Sequence, residues 1–558
     1  EVKGNYAYLG SEFNGLEVWS LNGGGTIQDA AGNDATVTLA TPGADNSLGK
    51  NKALIVDTSV PTAFTAGSVL TTGGTVVAGK WNSTNIGINV TVPLANDASL
   101  TGGTLQIIAN VAGGGYENLG GAHTILIGEL GTNKTLSFNA ATFSALSGGL
   151  NNSEVIVFNA IITDKAGNAT TGTQSGTTIN YDISSPEISA AKTLDDDKDG
   201  QIDQILVTLT EAITDASSTL NNTTFTVAGY TVSGTTTGTS ANDNKVLITL
   251  TESGSADTDA TPNVELVAAK ISDGSNALAS NQTFSGTTDT APPAIIAAST
   301  LDSDDDGQID QVLVTLSEAI TDGSSTLNNT TFTVAGYTVS NTTSGASAND
   351  NKVLITLTES GSADTDATPG VVLVAAKISD GTNALSSDQP VFNGASNAAP
   401  PAISSTETLD SDKDGQIDQI LVTLSEAIAD GSSTLDNTTF TVAGYTVSNT
   451  TTGTSANDNK VLISLTESGS ADTDATPNVI LVAAKISDGS NALASDQTFT
   501  GTADTAPPAI IEAKTLDDDK DGQIDQMLVT LSEAITDGSS TLNNTTFTVA
   551  GYTVSNTT

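Results

Sequence analysis

LDSDDDGQIDQVLVTLSEA, residues 301–319, joins two patterns without a gap: a loop of closely spaced aspartates, then a run in which apolar residues alternate with others. A period of two puts successive side chains on opposite faces, so QVLVTLSE reads as a strand. The alternation returns in KVLITLTES, where Val353, Ile355 and Leu357 share one face and Thr356 and Thr358 the other. Strands with a single apolar face belong to sheets covered on one side only, and two such sheets packed together form a β-sandwich. No segment sustains an apolar period of 3.6 residues. The chain is therefore expected to be all-β with minimal helix.

The aspartate loop occurs four times: LDDDKDGQID at 194–203, LDSDDDGQID at 301–310, LDSDKDGQID at 409–418 and LDDDKDGQID at 516–525. Each copy places Asp at positions 1, 3, 5 and 9 and Gly at position 6. Carboxylates this close repel one another unless a cation gathers them. Ca²⁺ takes six to eight oxygen ligands, and Gly at position 6 permits the turn that wraps a loop around it. A merely solvated acidic turn would tolerate any spacing and would not need the Gly.

The expected ligands in the first copy are Asp195, Asp197, Asp199 and Asp203 with the carbonyl of Gln201. In the second they are Asp302, Asp304, Asp306, Asp310 and Gln308; in the third, Asp410, Asp412, Asp414, Asp418 and Gln416; in the fourth, Asp517, Asp519, Asp521, Asp525 and Gln523. Positions 2 and 4 vary among Asp, Ser and Lys, as side chains pointing away from an ion would. An EF-hand would carry Glu at position 12 between helices. Here that position is Leu206, Leu313, Leu421 or Leu528, inside a strand pattern, so the loop connects strands.

The chain has 558 residues and a formal charge of −47, its 17 basic residues all being Lys. Nucleic acid and anionic membranes require a basic patch and are not expected partners. Four Ca²⁺ ions would bring −47 only to −39, leaving most of the charge in place. There is no Cys and a single His, so disulfides, thiolate chemistry and a His-based zinc site are all excluded. No apolar run approaches the roughly 20 residues of a membrane span, so no membrane insertion is expected. Starting at Glu1 and stopping inside a repeat, the chain is expected to be part of something longer.

Proline-bearing joints punctuate the repeats, at VDTSVP ending in Pro61, YDISSP in Pro186, TDTAPP in Pro293, SNAAPP in Pro401 and ADTAPP in Pro508. Each carries Asp57, Asp182, Asp289, Asn397 or Asp504 four residues before its last Pro. Such stretches are extended and cannot enter a central strand, so they act as short linkers. The expected domains are 1–57, the C-terminal part of one; 58–185, without an Asp loop; complete repeats at 186–293, 294–401 and 402–508; and a truncated repeat at 509–558.

Within 58–185 the strand candidates are NIGINVTVPL, GTLQIIANV, HTILIGEL, KTLSFNA and EVIVFNAIITD. His123 is expected at a surface or edge, and Trp19 and Trp81 in cores. In each complete repeat ADTDATP adds a second acidic spot, at Asp257 and Asp259, Asp364 and Asp366, or Asp472 and Asp474, read as a solvated turn in preference to the alternative that it completes another cation site. Sequons at Asn82, Asn89, Asn133, Asn168 and the NNTT of each repeat would permit glycans on an exported surface.

The Asp spacing resembles the nine-residue calcium loops between strands of the integrin α-subunit propeller, over those nine residues alone. VTLSEAI after the loop and ISDGSNAL near the end of each repeat resemble elements of immunoglobulin-like domains in large bacterial and archaeal surface proteins. The close of residues 1–57, with its AGN turn, resembles the last hairpin of such domains. This resemblance implies tandem immunoglobulin-like β-sandwiches in an elongated array, of the adhesin-stalk or surface-layer kind.

An enzyme is not expected. There is no Ser-His-Asp set and no phosphate cradle, and the carboxylates recur once per repeat rather than converging once. Near-identical repeats suit a spacer that gains length, whereas a binding module varies its loops. The expectation is a calcium-rigidified structural protein, extracellular or at the cell surface, as a surface layer, filament or stalk associating with copies of itself. The alternative is an adhesin module recognising a host or matrix partner. Aromatic residues, at 4%, are too few for a carbohydrate-stacking face.

Overall fold

In the computed structural model, residues 56–558 are described throughout, together with 2–3, 6–11, 15–20, 31–33, 41, 44–45 and 50. The backbone at Val2–Lys3, Tyr6–Ser11 and Gly15–Ser20 forms a three-stranded antiparallel sheet. Most of the stretch expected to close the first domain, and the Trp19 side chain, lie outside the described residues. The chain divides into two compact units, Glu1–Ile183 and Ser184–Thr558.

The repeat at 186–293 shows the second unit's plan. Its strands are β1 (Ile188–Leu194), β2 (Gln204–Leu209), β3 (Phe225–Val227), β4 (Thr231–Thr237), β5 (Lys245–Thr251), β6 (Val264–Leu266) and β7 (Gln282–Phe284). They pair in two sheets, β1-β2-β5-β4 and β3-β6-β7. That is the ABED and CFG order of the seven-stranded immunoglobulin sandwich. After β7 the chain crosses back, and Thr288 bridges Lys192 of β1 in parallel. The next repeats follow the same plan, with Ala395–Asn397 extending that parallel pairing into a short strand in the second.

Alternation produces the core as expected. Ile205, Val207 and Leu209 of β2 and Val246, Ile248 and Leu250 of β5 all point inward onto Phe225, Val264 and Leu266 of the facing sheet. Burying each such side chain is worth roughly 1.5–3 kcal/mol. β1 departs from strict alternation because a bulge between Ile188 and Ala190 shifts its register against β2. Separate cores of the same composition lie within 295–395 and 403–506.

Residues 58–183 build a related sandwich. Val69–Thr72, Gly87–Pro93 and Asn133–Asn139 form one sheet, and the other centres on Thr104–Val111, Glu154–Thr163 and Ile179–Tyr181. Trp81 is 1% exposed and packs edge-on against Phe143 and Tyr181, with ring centroids 5.4 and 5.7 Å away, so it is a core residue.

HTILIGEL is not one strand. Only His123–Thr124 pairs, and a 3-10 turn follows at Ile127–Glu129 because the Glu129 carboxylate folds back to accept the Leu126 N–H at 3.0 Å. Glu129 also meets His123, at 2.8 Å, and Lys134, so this edge histidine has an acidic partner.

Candidate metal centres

The Asp loop is the turn between β1 and β2, and the hairpin holds it shut. The last ladder pair is Leu194 with Gln204, and the Asp203 N–H donates to the Leu194 carbonyl at 3.2 Å. Inside, Asp195 is the hub. Its Oδ1 accepts the Lys198 N–H at 2.6 Å and its Oδ2 the Gly200 N–H at 2.9 Å. Asp199 accepts the Gln201 backbone N–H at 2.9 Å and the Gln201 side-chain amide at 3.0 Å. Asp203 accepts the Asp196 N–H at 3.1 Å.

This bonding bends the backbone into left-handed conformations at two positions. Gly200 has φ +94°, which glycine adopts freely. Lys198, at position 4, has φ +64°, an uncommon conformation for a residue with a Cβ. Lys413, Lys520 and Asp305 repeat it at 66°, 63° and 60°.

The turn brings one oxygen each of Asp195, Asp197 and Asp199 within 4.8 Å of one another, and Asp302, Asp304 and Asp306 do the same. Asp203 joins through Asp197 and a residue that sequence reading missed, Glu252. Glu252 follows the last residue of β5. Because β5 runs antiparallel to β2, its end lies beside the loop, and Glu359 and Glu467 stand at the same place in KVLITLTES and KVLISLTES. The recurring Glu after each alternating run was the available signal. Its meaning needed the strand pairing.

Electrostatics match the geometry. Burial pushes the Asp195 and Asp302 carboxyls up to about 7, the neighbouring aspartates adding to a rise that the backbone N–H groups oppose. Glu252, Glu359 and Glu467 are raised, chiefly by Asp199, Asp306 and Asp414 respectively. An all-oxygen set of this charge suits a hard cation and does not suit a soft one.

The third loop repeats the first, with Gly415 bonded to Asp410, Gln416 to Asp414 and Ser411 to Asp418. In the fourth, Asp517 accepts the Gly522 and Asp521 N–H groups, Asp521 the Gln523 N–H and Asp525 the Asp518 N–H. Asp519 accepts a further bond from the Asp521 N–H, as Asp412 does from Asp414. In the second copy Gln308 is bound in the same way to Asp306, and Asp310 accepts the Ser303 N–H at 2.9 Å.

In the second acidic spot Asp259, Asp366 and Asp474 are exposed as a solvated turn would have them, but the first Asp of each pair is not free in solvent. Asp257 Oδ1 accepts the Ile202 N–H at 2.8 Å and its Oδ2 the Tyr230 hydroxyl at 2.7 Å, latching the loop to the sandwich. Asp364 and Asp472 do the same with Ile309 and Tyr337, and with Ile417 and Tyr445. Of the sequons, Asn82 is fully buried and its amide donates to the Thr75 carbonyl at 2.7 Å, so no glycan fits there.

The first three loops also abut the next repeat. A Cβ on Gly200 would fall 2.5 Å from Ile296 Cγ2 and 3.0 Å from Ser317 Cβ. The Thr258 hydroxyl bonds to the Ser317 hydroxyl at 2.8 Å, which in turn accepts the Ala294 N–H. The position-4 side chain does not simply point to solvent: Lys198 Nζ reaches the Asp388 carbonyl at 3.1 Å, and Gln389 donates to the Lys198 carbonyl at 2.9 Å. Asp289, in the linker, gathers with Glu318 and Asp380 of the following repeat.

No family model and no curated protein matches the chain. Solved structures do match. One is the crystal structure of the chicken CNTN1 FN1–FN3 domains, at 10% identity over 59% of this chain and 98% of that one, with a TM-score of 0.21. The immunoglobulin-type architecture rests on the strand order described above.

Proposed function

We propose that this chain is a non-enzymatic structural protein of a cell surface or extracellular space, whose tandem sandwiches are stiffened by Ca²⁺ in the loops between β1 and β2. It would serve as part of a surface layer, filament or stalk. One observation carries the reading: the loop that gathers the carboxylates is the same loop that packs on the next repeat, through Gly200 against Ile296 and Ser317. An ion there acts on a joint as well as inside a domain. Modules working at extracellular calcium typically bind with Kd of about 10⁻⁴ to 10⁻³ M.

The test uses the full chain stripped by chelator. Calorimetry with Ca²⁺ should lose one loop's heat on changing Asp302 and Asp306 to Ala. Small-angle scattering should show a narrower spread of dimensions with Ca²⁺ than with chelator. Unchanged calcium heat defeats the site, and unchanged scattering defeats its mechanical role.

A further inference from the structure

The carboxylates of Asp289, Glu318 and Asp380 are used neither by the loops nor by any ion pair among the described residues. Asp289 lies in the linker leaving the repeat at 186–293, while Glu318 and Asp380 belong to the repeat that follows. One oxygen of each lies within 4.8 Å of the other two. Asp380 is held by the Thr382 and Asn383 N–H groups and the Asn383 amide, at 2.5, 2.6 and 2.7 Å, and Asp289 accepts the Ala291 N–H at 3.1 Å.

Glu318 is different. It is 6% exposed, and its Oε1 has no hydrogen-bond partner. A carboxylate buried with an oxygen left without a donor is costly, and this carboxylate is the buried member of the three. Burial and the facing carboxylates push Glu318 up to about 8, and Asp259 adds to the same field.

The following joint supplies an internal comparison, because Asn397 replaces Asp289 there. Its side-chain amide donates to Glu426 Oε2 at 3.0 Å and to Asp488 Oδ2 at 3.3 Å. Glu426 is also 6% exposed and its Oε1 also lacks a partner, so the joints differ in the third group: two N–H bonds from a neutral amide stand there where the first joint has only a third carboxylate. An amide nitrogen cannot ligate a hard cation, whereas a third carboxylate can.

We propose that Asp289, Glu318 and Asp380 form a second divalent-cation site, distinct from the Asp loop, that binds Ca²⁺ across the joint between two repeats. Asn397 makes the next joint its amide-bridged counterpart, without an ion. The proposal deepens the calcium-stiffened reading and rests on it for the identity of the ion, but it concerns different ligands and fails separately.

Equilibrium dialysis of the full chain against saturating radiolabelled Ca²⁺ counts the ions. Glu318→Gln should bind one fewer than wild type, and Asn397→Asp one more. Changing Asp302 and Asp306 to Asn should remove one loop ion and leave the joint ion in place. If Glu318→Gln fails to fold by circular dichroism, the gain in Asn397→Asp decides. Counts unchanged in both joint variants, with loop ions still lost in the loop variant, overturn this site and leave the loop reading intact. Loss in Glu318→Gln without gain in Asn397→Asp upholds the first joint and overturns the role given to Asn397.

Discussion

Replacing Gly200 with Ala tests whether the loop is mechanically engaged with the next repeat. The substitution has two separable costs. At φ +94° a Cβ strains the backbone by roughly 1–2 kcal/mol. That Cβ also lies 2.5 Å from Ile296 Cγ2, an overlap of the overpacking kind that typically costs about 1–3 kcal/mol. Gly307 is the built-in control. Its φ is +92°, but Ser404 stands where Ile296 does, and the nearest atoms are Ser425 Cβ at 3.2 Å and Ala402 Cβ at 3.8 Å. Gly307→Ala should therefore carry the backbone cost and little of the second.

The difference between the two variants, about 1.4–2.8 kcal/mol, corresponds to a tenfold to hundredfold difference in local opening. Hydrogen exchange read by mass spectrometry, on peptides running from each loop into its following strand, measures it, since QILVTLT and QVLVTLS distinguish the two copies. Ile296→Ala should rescue Gly200→Ala by most of that difference in a double-mutant cycle. Equal acceleration in both glycine variants, with no rescue, would refute the contact between loop and neighbouring repeat.

Three further outcomes follow from the same geometry. Asp364→Ala should destabilise its sandwich by about 3 kcal/mol, because the Ile309 N–H and the Tyr337 hydroxyl lose a charged acceptor, and Tyr337→Phe by about 1 kcal/mol; thermal unfolding of the full chain would show both. Ca²⁺ at ten times its Kd should add about 1.4 kcal/mol per loop and make Tm depend on calcium concentration, a dependence that calorimetry with and without chelator checks. Glu129 is held down at about 2 by the Leu126 N–H, Lys134 and His123. A lowered carboxyl contributes stability above its ordinary pKa and loses it as pH falls toward 2, so Glu129→Gln should flatten the acid limb between about pH 4.5 and 2. After solvent screening this amounts to about 1–2 kcal/mol.

Most of what depends on one strand or one turn was legible in the sequence, HTILIGEL with its local Glu129 turn being the exception. The alternation of KVLITLTES became a buried row at Val353, Ile355 and Leu357, and Asp195, Asp197 and Asp199 converge as their spacing implies. What depends on pairing distant segments was not. Glu252 reaches the loop only because β5 lies antiparallel beside β2. Asp257 reads as a solvated turn until Ile202 and Tyr230 are seen to donate to it, from 55 and 27 residues away. Asn82 passes every local test for a sequon and is buried all the same.

The fourth loop separates what the loop does alone from what its surroundings add. Asp517 accepts the Gly522 N–H at 3.0 Å and the Asp521 N–H at 3.1 Å, close to the 2.9 and 3.3 Å of Asp195, although Asp517 is exposed and no atom lies within 4 Å of a Cβ built on Gly522. The shape of the loop is therefore local, set by aspartate side chains bonding their own backbone. Its burial is not. Asp195 is 8% exposed where Asp517 is open to solvent, and that burial raises its carboxyl. Charges at a covered site are screened less by water than at an exposed one, and Gly200 of the same loop packs on the next repeat. On the proposed reading, ion affinity and joint closure are then two measures of one coupling, each strengthening the other by the same factor.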